Sequence, residues 1–104
     1  MPKFLFVYHG GKPATNEAEK KKIYDAWGMW FGSMGKSVID GGNPCAVSST
    51  IHANGTVTND GGSNPASGYS LIEAANIADA QAKAKSCPLL KAGGSVEIAQ
   101  AMDM

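Results

Sequence analysis

The sequence contains no arginine, and its nine lysines are balanced by nine acidic residues over 104 positions, so the formal net charge is zero. Arginine is the usual residue for bidentate contacts to phosphate groups and to guanine. A chain that lacks arginine and has no basic surplus is a poor candidate for binding DNA or RNA. We therefore expect no nucleic acid among its partners.

Cysteine and long apolar runs are also scarce. The only cysteines, Cys45 and Cys87, form no C-x-x-C pair and have no histidine near them in sequence. Such spacing argues against a metal site, and we predict neither a metal nor another cofactor. The apolar run from Phe4 to Tyr8 is too short for a signal peptide or a membrane span. We expect a cytoplasmic protein with two free thiols and no membrane contact.

The first half of the chain reads as a strand, a helix and a second strand. Residues 3–9 are apolar on both faces of a strand, which indicates that both faces are covered. Thr15 or Asn16 can cap a helix that runs to about Gly35. Its apolar stripe is Ile23, Trp27, Trp30, Phe31 and Met34, and a second stripe is Gly28, Gly32 and Gly35. This line of glycines predicts either plain packing on the sheet or close approach by another backbone or a ligand. Residues 36–40 read as a short strand.

The second half begins with a β-hairpin. Residues 46–53 and 56–59 are rich in β-branched residues, and Asn54-Gly55 between them is the preferred two-residue turn. After a loop over residues 60–67, a strand is predicted at 68–74 and a helix at 77–86, capped by Asn76 and carrying Ile77, Ala80 and Ala84 on its inner face. A last strand is predicted at 95–101.

This order predicts one α+β domain over residues 1–104. With the hairpin taken as an insertion, the elements follow the β-α-β-β-α-β order of ferredoxin-like domains. So short a chain leaves much of its apolar surface in water, and a second copy is a common means of covering it. We therefore expect a homodimer that forms face to face through the sheets.

Four stretches of the sequence resemble the YCII-related family, and within it the DGPF branch. They are Lys3-Phe4-Leu5-Phe6-Val7-Tyr8, Asp60-Gly61, Gly68-Tyr69-Ser70-Leu71-Ile72-Glu73-Ala74 and Gly94-Ser95-Val96-Glu97-Ile98. The resemblance covers nearly the whole chain and rests on the order and spacing of these stretches. It implies a ferredoxin-like fold, pairing into a dimeric α/β barrel, and a pocket between sheet and helices. The chain departs from the branch where Gly62-Ser63 replaces its Pro-Phe and Ala99-Gln100 replaces its Arg-Pro.

His9 is the more informative of the two histidines. It ends the first strand, next to the predicted start of the strand at Gly68 and Tyr69, and the loop that begins at Asp60 can fold over the same end. A histidine beside a carboxylate is a common acid/base unit near neutral pH. We predict that His9, Asp60 and Tyr69 line one cavity, with Trp27 or Tyr24 as an apolar wall. In the alternative, Asp60 only sets an Asp-Gly turn and His9 hydrogen-bonds a loop.

Two hypotheses about function stay open at this point. In the first, the domain binds a small, partly aromatic or carboxylic metabolite, with Trp27 and Tyr69 as ligand-binding residues and no assured catalysis. In the second, it is an isomerase or lyase in which His9 and Asp60 move a proton. The sequence does not identify the ligand.

Overall fold

The computed structural model describes all residues from 1 to 104. It is an α+β structure with two helices, one four-stranded antiparallel sheet and one separate two-stranded hairpin, which confirms the predicted class. The elements in chain order are β1 (Lys3–His9), α1 (Glu17–Met34), β2 (Val38–Asp40), β3 (Thr50–Ile51), β4 (Val57–Thr58), β5 (Ala66–Glu73), α2 (Ile77–Ala84) and β6 (Ser95–Ala101). The main sheet has the order β2-β5-β1-β6.

Strand β1 is central and pairs antiparallel with both β5 and β6. Because side chains alternate along a strand, Phe4, Phe6 and Tyr8 point towards the helices, where all three are buried. Leu5 and Val7 point to the opposite side of the sheet. The predicted strand at 3–9 is confirmed, but no helix covers its second face.

Helix α1 begins where the sequence predicts. The Asn16 side chain accepts a hydrogen bond from the Glu19 backbone N–H, and two acidic residues in the first turn suit the helix dipole. The helix stops at Gly35, whose φ of 55° is in a region that favours glycine. A short 3-10 turn over Gly35–Ser37 then uses two of the residues predicted for the second strand, so β2 begins only at Val38.

The core forms between the inner faces of the helices and the sheet. Trp30 is its centre: it lies near Phe6 and Tyr8, and its indole N–H donates to the Lys83 carbonyl oxygen at 2.9 Å. Helix α2 contributes Ala80 and Ala84, but the predicted core residue Ile77 is 44% exposed because it lies in the first turn, at the rim. Helix α2 also ends at Ala84, two residues before the predicted end.

The hairpin differs most from the prediction. Its strands have only two residues each, although residues 46–53 and 56–59 read as strands, and they form a sheet of their own. No neighbouring strand extends the pairing on either side, so regular hydrogen bonding stops a short distance from the turn. Strand β5, by contrast, starts two residues earlier than predicted because Ala66 pairs with His9 after a bulge.

The chain exposes more surface than a compact monomer of its mass. A folded monomer of 10.8 kDa is expected to expose about 5,500 Å², whereas this chain exposes 7241 Å². Its radius of gyration is 14.9 Å, against about 13 Å for a compact domain of this length. Only 12 of the 104 residues are buried. Neither helix has the length and apolar character that crossing a membrane requires.

Candidate functional site

A groove of about 590 Å³ lies between helix α1 and the first residues of β5. One wall is the helix, from which Lys20, Tyr24 and Trp27 face the groove at i, i+4 and i+7 spacing. The other wall is the segment after β2, residues 41–44, together with Ser67, Gly68 and Tyr69. The groove is therefore bounded by three separate parts of the chain, which the sheet order brings together.

Aromatic rings form most of the apolar lining. Trp27 is half-buried and packs edge-on against Tyr8, with ring centroids 4.9 Å apart and an interplanar angle of 81°. It also lies 5.8 Å from Phe31, which lines the groove as well. Trp27 is thus part of an aromatic cluster with Tyr8 and Phe31. Tyr24 is 80% exposed at the mouth, so most of its ring is open to contact with a ligand.

The polar groups at the floor of the groove are already paired. The Tyr8 hydroxyl donates to the Ser70 hydroxyl at 2.7 Å, and Ser70 donates to the Gly41 carbonyl oxygen at 2.7 Å. Burial raises the pKa of Tyr8 far above its ordinary value, with the Ser70 hydrogen bond opposing the shift. Tyr8 is thus a neutral phenol at any physiological pH, and it holds the floor rather than acting as a base.

The rim, in contrast, carries hydrogen-bond donors. Lys20 forms none of the ion pairs in the structure, so its ammonium group is available to a ligand. The Asn43 amide donates to the Tyr69 hydroxyl at 3.4 Å, but Tyr69 lies opposite Val7 in the sheet, so its side chain points to the side away from α1. No acidic side chain lines the groove. The rim therefore favours an anionic or hydrogen-bond-accepting group over a cationic one.

The wall formed by residues 41–44 depends on glycine. Gly42 has a φ of 72°, and a Cβ atom at this position would lie 1.8 Å from the Tyr69 carbonyl oxygen. Its N–H donates to the Asp40 carboxylate at 2.8 Å, which closes the turn. Glycine thus allows this segment to lie directly against β5, where Asn43 accepts a hydrogen bond from the Tyr69 N–H.

Comparisons with family models, curated proteins and solved structures gave no match.

The structure brings only two of the four predicted site residues into one cavity. Trp27 and Tyr69 line the groove, whereas His9 and Asp60 do not. Asp60 is exposed, and its carboxylate accepts a hydrogen bond from the Gly62 N–H at 3.0 Å, which is the turn-setting arrangement considered as the alternative. His9 lies on the sheet face that points away from the helices, because it is next to Tyr8 in the same strand.

His9 has two partners: Pro65, in the loop that the alternative gave as its hydrogen-bond partner, and Glu97, which the sequence did not indicate. Its Nε2 atom lies 2.9 Å from the Glu97 carboxylate, and its Nδ1 atom lies 3.1 Å from the Pro65 carbonyl oxygen. Both partners accept hydrogen bonds from the ring, which favours the charged imidazole that donates from both nitrogens. Glu97 accordingly raises the pKa of His9, with burial acting in the opposite direction. A ring held at both nitrogens has no free lone pair with which to remove a proton from a substrate.

We predict that Glu97→Gln lowers the His9 pKa towards its ordinary value of 6.5 and that Asp60→Asn leaves it unchanged. An NMR pH titration of the ring protons measures both effects. Because the folded pKa is raised, the pair stabilises the fold fully below the unfolded pKa, and this contribution is lost as pH rises through the folded pKa. Urea unfolding at about pH 5.5 and about pH 8.5 should show a smaller difference in Glu97→Gln than in wild type. A fall in the pKa on Asp60→Asn alone would restore the His9–Asp60 hypothesis.

The remaining reactive groups form no metal or thiol centre. No group of three His, Cys, Asp or Glu side chains is placed to hold a metal ion. Both cysteines are free; Cys45 is exposed and Cys87 is buried. Burial raises the pKa of Cys87 to about 11, which makes it a poor nucleophile.

Three further residues line the groove that were not among the predicted site residues: Lys20, Tyr8 and Asn43. The i, i+4, i+7 relation of Lys20 to Tyr24 and Trp27 was a usable signal for its place in the groove. Tyr8 was read only as a strand residue. Asn43 carried no signal, because its position depends on how the segment after β2 packs on β5.

Proposed function

We propose that this protein is a small-molecule-binding domain whose groove takes a flat, partly aromatic metabolite with a carboxylate group, and that it catalyses no reaction there. The observation that carries the proposal is the lining of the groove, with aromatic rings along the walls and hydrogen-bond donors confined to the rim. Its volume of about 590 Å³ falls within the range of about 300–1,000 Å³ that is typical of ligand sites.

The proposed ligand follows from the chemistry of these walls. An aromatic ring of the ligand would stack on Tyr24 and contact the Trp27 indole. Each contact of this kind favours binding by about 0.5–1.5 kcal/mol. A carboxylate at the mouth would meet the Lys20 ammonium. A cationic ligand would find no carboxylate partner in the lining.

The choice of titratable residues in the lining argues for binding without catalysis. The lining contains no His, Asp, Glu or Cys, and its buried phenol, Tyr8, has a strongly raised pKa. The isomerase or lyase alternative required His9 and Asp60 to work together. His9 is instead paired with Glu97 and Pro65, outside the groove.

Assembly is the second part of the proposal. We infer a YCII-like, ferredoxin-like domain that forms a homodimer, its sheets pairing face to face into an α/β barrel. The order β2-β5-β1-β6, with both helices on one side, supports the fold. The uncovered sheet face, on which Leu5 lies opposite Leu71 and Ala99, supports the pairing.

Titration with 2-naphthoate tests the binding proposal. We predict saturable binding that perturbs the NMR signals of Tyr24, Trp27 and Tyr69. Tyr24→Ala should weaken binding about twofold to tenfold through the lost stacking, and Lys20→Gln about twofold to fivefold through the lost ion pair. The neutral 2-naphthamide should bind equally well to wild type and to Lys20→Gln.

Two residues on the same helix serve as matched controls. Met29 is 77% exposed like Tyr24 but lies outside the groove, and Lys21 is next to Lys20 in sequence and also lies outside it. Met29→Ala and Lys21→Gln should leave the affinity for 2-naphthoate unchanged. Equal weakening in a variant and its control, or no saturable binding at all, would contradict the proposed site.

A further inference from the structure

The hairpin at residues 46–59, here called the arm, is an exposed element with two different faces. Its strands pair only with each other, with Thr50 opposite Thr58 and Ile51 opposite Val57. Alternation therefore puts threonines and His52 on one face and the Ile51–Val57 pair on the other. The His52 ring contacts the Thr58 hydroxyl at 2.6 Å, so the polar face is internally hydrogen-bonded.

The apolar face of the arm is not covered by its own chain. Ile51 is 74% exposed, Val57 is 58% exposed, and Val47 near the base is 93% exposed. Alternating polar and apolar residues are typical of a hairpin that is buried on one side. An isolated two-stranded hairpin is at best marginally stable in water, so an arm of this kind needs another surface against its apolar face.

The composition of the arm also indicates an interface. Residues 46–59 contain no Asp, Glu or Lys, in a chain that is 17% charged. Exposed strand edges are usually protected by charged residues, especially lysine, and depletion of charge is the compositional mark of an interface core. The composition of the arm therefore differs from that of a solvent-exposed hairpin.

The body of the same chain offers a matching surface, here called the open face. It is the side of the main sheet away from the helices and includes Leu5, Val7, Leu71 and Ala99. Leu5 is 38% exposed at the centre of the sheet, where β1 would normally be covered. Apolar surface is thus left unpaired at two places, the arm and the open face.

We propose that the apolar face of the arm packs against the margin of the open face of a second copy, so that the arm of each chain in the dimer contacts the other chain. This inference rests on the homodimer of the proposed function and adds the arm to its interface. Each chain exposes about 1,700 Å² more surface than a compact monomer of its mass, which makes about 3,400 Å² for two chains. That total lies within the range of about 2,000–5,000 Å² that obligate homodimers bury.

A charge placed on either face of the arm tests this inference by analytical ultracentrifugation. Wild type should sediment as a dimer at micromolar concentration. Ile51→Asp, on the apolar face, should weaken dimerisation at least about tenfold, because a carboxylate would have to be desolvated at the interface. Thr56→Asp, on the polar face of the same hairpin, should change the dimer dissociation constant by less than about threefold. Far-UV circular dichroism checks that both variants fold.

A second measurement on wild type needs no substitution. In a dimer assembled from labelled and unlabelled chains, isotope-filtered NMR should show contacts between the Ile51 or Val57 methyl groups and methyl groups of the partner's open face. A monomeric wild type would overturn both this inference and the proposed dimer. A dimer that shows no such contacts and tolerates Ile51→Asp would overturn the role of the arm and leave the face-to-face dimer standing.

Discussion

Gly28→Leu is expected to abolish measurable binding of 2-naphthoate while leaving the protein folded and more stable. Gly28 lines the groove within α1, and no atom lies within 4 Å of the position that a Cβ atom would occupy there. The first side-chain atom therefore meets no neighbouring atom, and we expect a leucine side chain at this position to extend into the space of the ligand. Helix propensity alone should stabilise the variant by about 1 kcal/mol, because glycine is a poor residue in a helix interior. Affinity is measured by NMR titration and stability by urea unfolding.

Two alanine variants separate the volume of the side chain from its effect on the helix. Gly28→Ala adds a single methyl group at the same position and should retain most of the affinity. Gly32→Ala, one turn later and outside the groove, should raise the free energy of unfolding by a similar amount without affecting binding. Full affinity in Gly28→Leu would mean that 2-naphthoate binds elsewhere, and the groove would lose its proposed role.

The open space at Gly28 also decides between two interpretations of the glycines in α1. The line of small residues along α1 predicted either packing on the sheet or close approach by a backbone or ligand. Nothing lies within 4 Å of a Cβ at Gly28 or at Gly32, so neither glycine serves close packing within the chain. Gly28 instead widens the groove. Sequence periodicity identified the correct face of the helix but could not tell empty space from a tight contact.

The aromatic half of the site was predictable because helical spacing is local information. Trp27 lies on a stripe that the 3.6-residue period defines, and Tyr69 lies at the start of a strand that β-branched and aromatic residues mark. Their meeting follows from the sheet order. The helix N-caps were predictable for the same reason, since the Asn16 and Asn76 side chains each accept a hydrogen bond from a backbone N–H only three residues away.

The partner of His9 was not predictable in the same way. Asp60 was a reasonable candidate by its place in the loop, but an Asp followed by glycine can satisfy its carboxylate within its own turn, and Asp60 does so with the Gly62 N–H. Glu97 is 88 residues from His9, and the two side chains meet only because the register sets His9 opposite Ser95. A shift of one residue would have turned Glu97 to the other face of the sheet.

Gly42→Ala is expected to destabilise the protein severely, by about 3 kcal/mol or more, because two independent penalties act at one position. The φ of 72° is unfavourable for alanine, which costs about 1–2 kcal/mol. In addition, the methyl group would lie 1.8 Å from the Tyr69 carbonyl oxygen, a backbone atom that cannot rotate away. Urea unfolding of purified protein gives the free energy directly.

Gly62→Ala is the matched control, since it shares the first penalty and lacks the second. Its φ is 83°, but no atom lies within 4 Å of a Cβ at that position. Gly62→Ala should therefore lower the free energy of unfolding by only about 1–2 kcal/mol, which is the effect of the backbone conformation alone. Equal destabilisation by the two variants would mean that the segment after β2 does not lie against β5 as closely as the structure has it.

The Gly42→Ala and Gly62→Ala variants should also differ in ligand affinity, because Gly42 and Tyr69 both line the groove. To accommodate a methyl group, the segment from Gly41 to Pro44 would have to move away from β5 and carry the Asn43 amide away from the Tyr69 hydroxyl. Any Gly42→Ala protein that still folds should therefore bind 2-naphthoate more weakly than Gly62→Ala protein of matched folded fraction. A folded Gly42→Ala variant with wild-type affinity would show that the wall formed by residues 41–44 does not contact the ligand, and the binding surface would then be confined to α1 and β5.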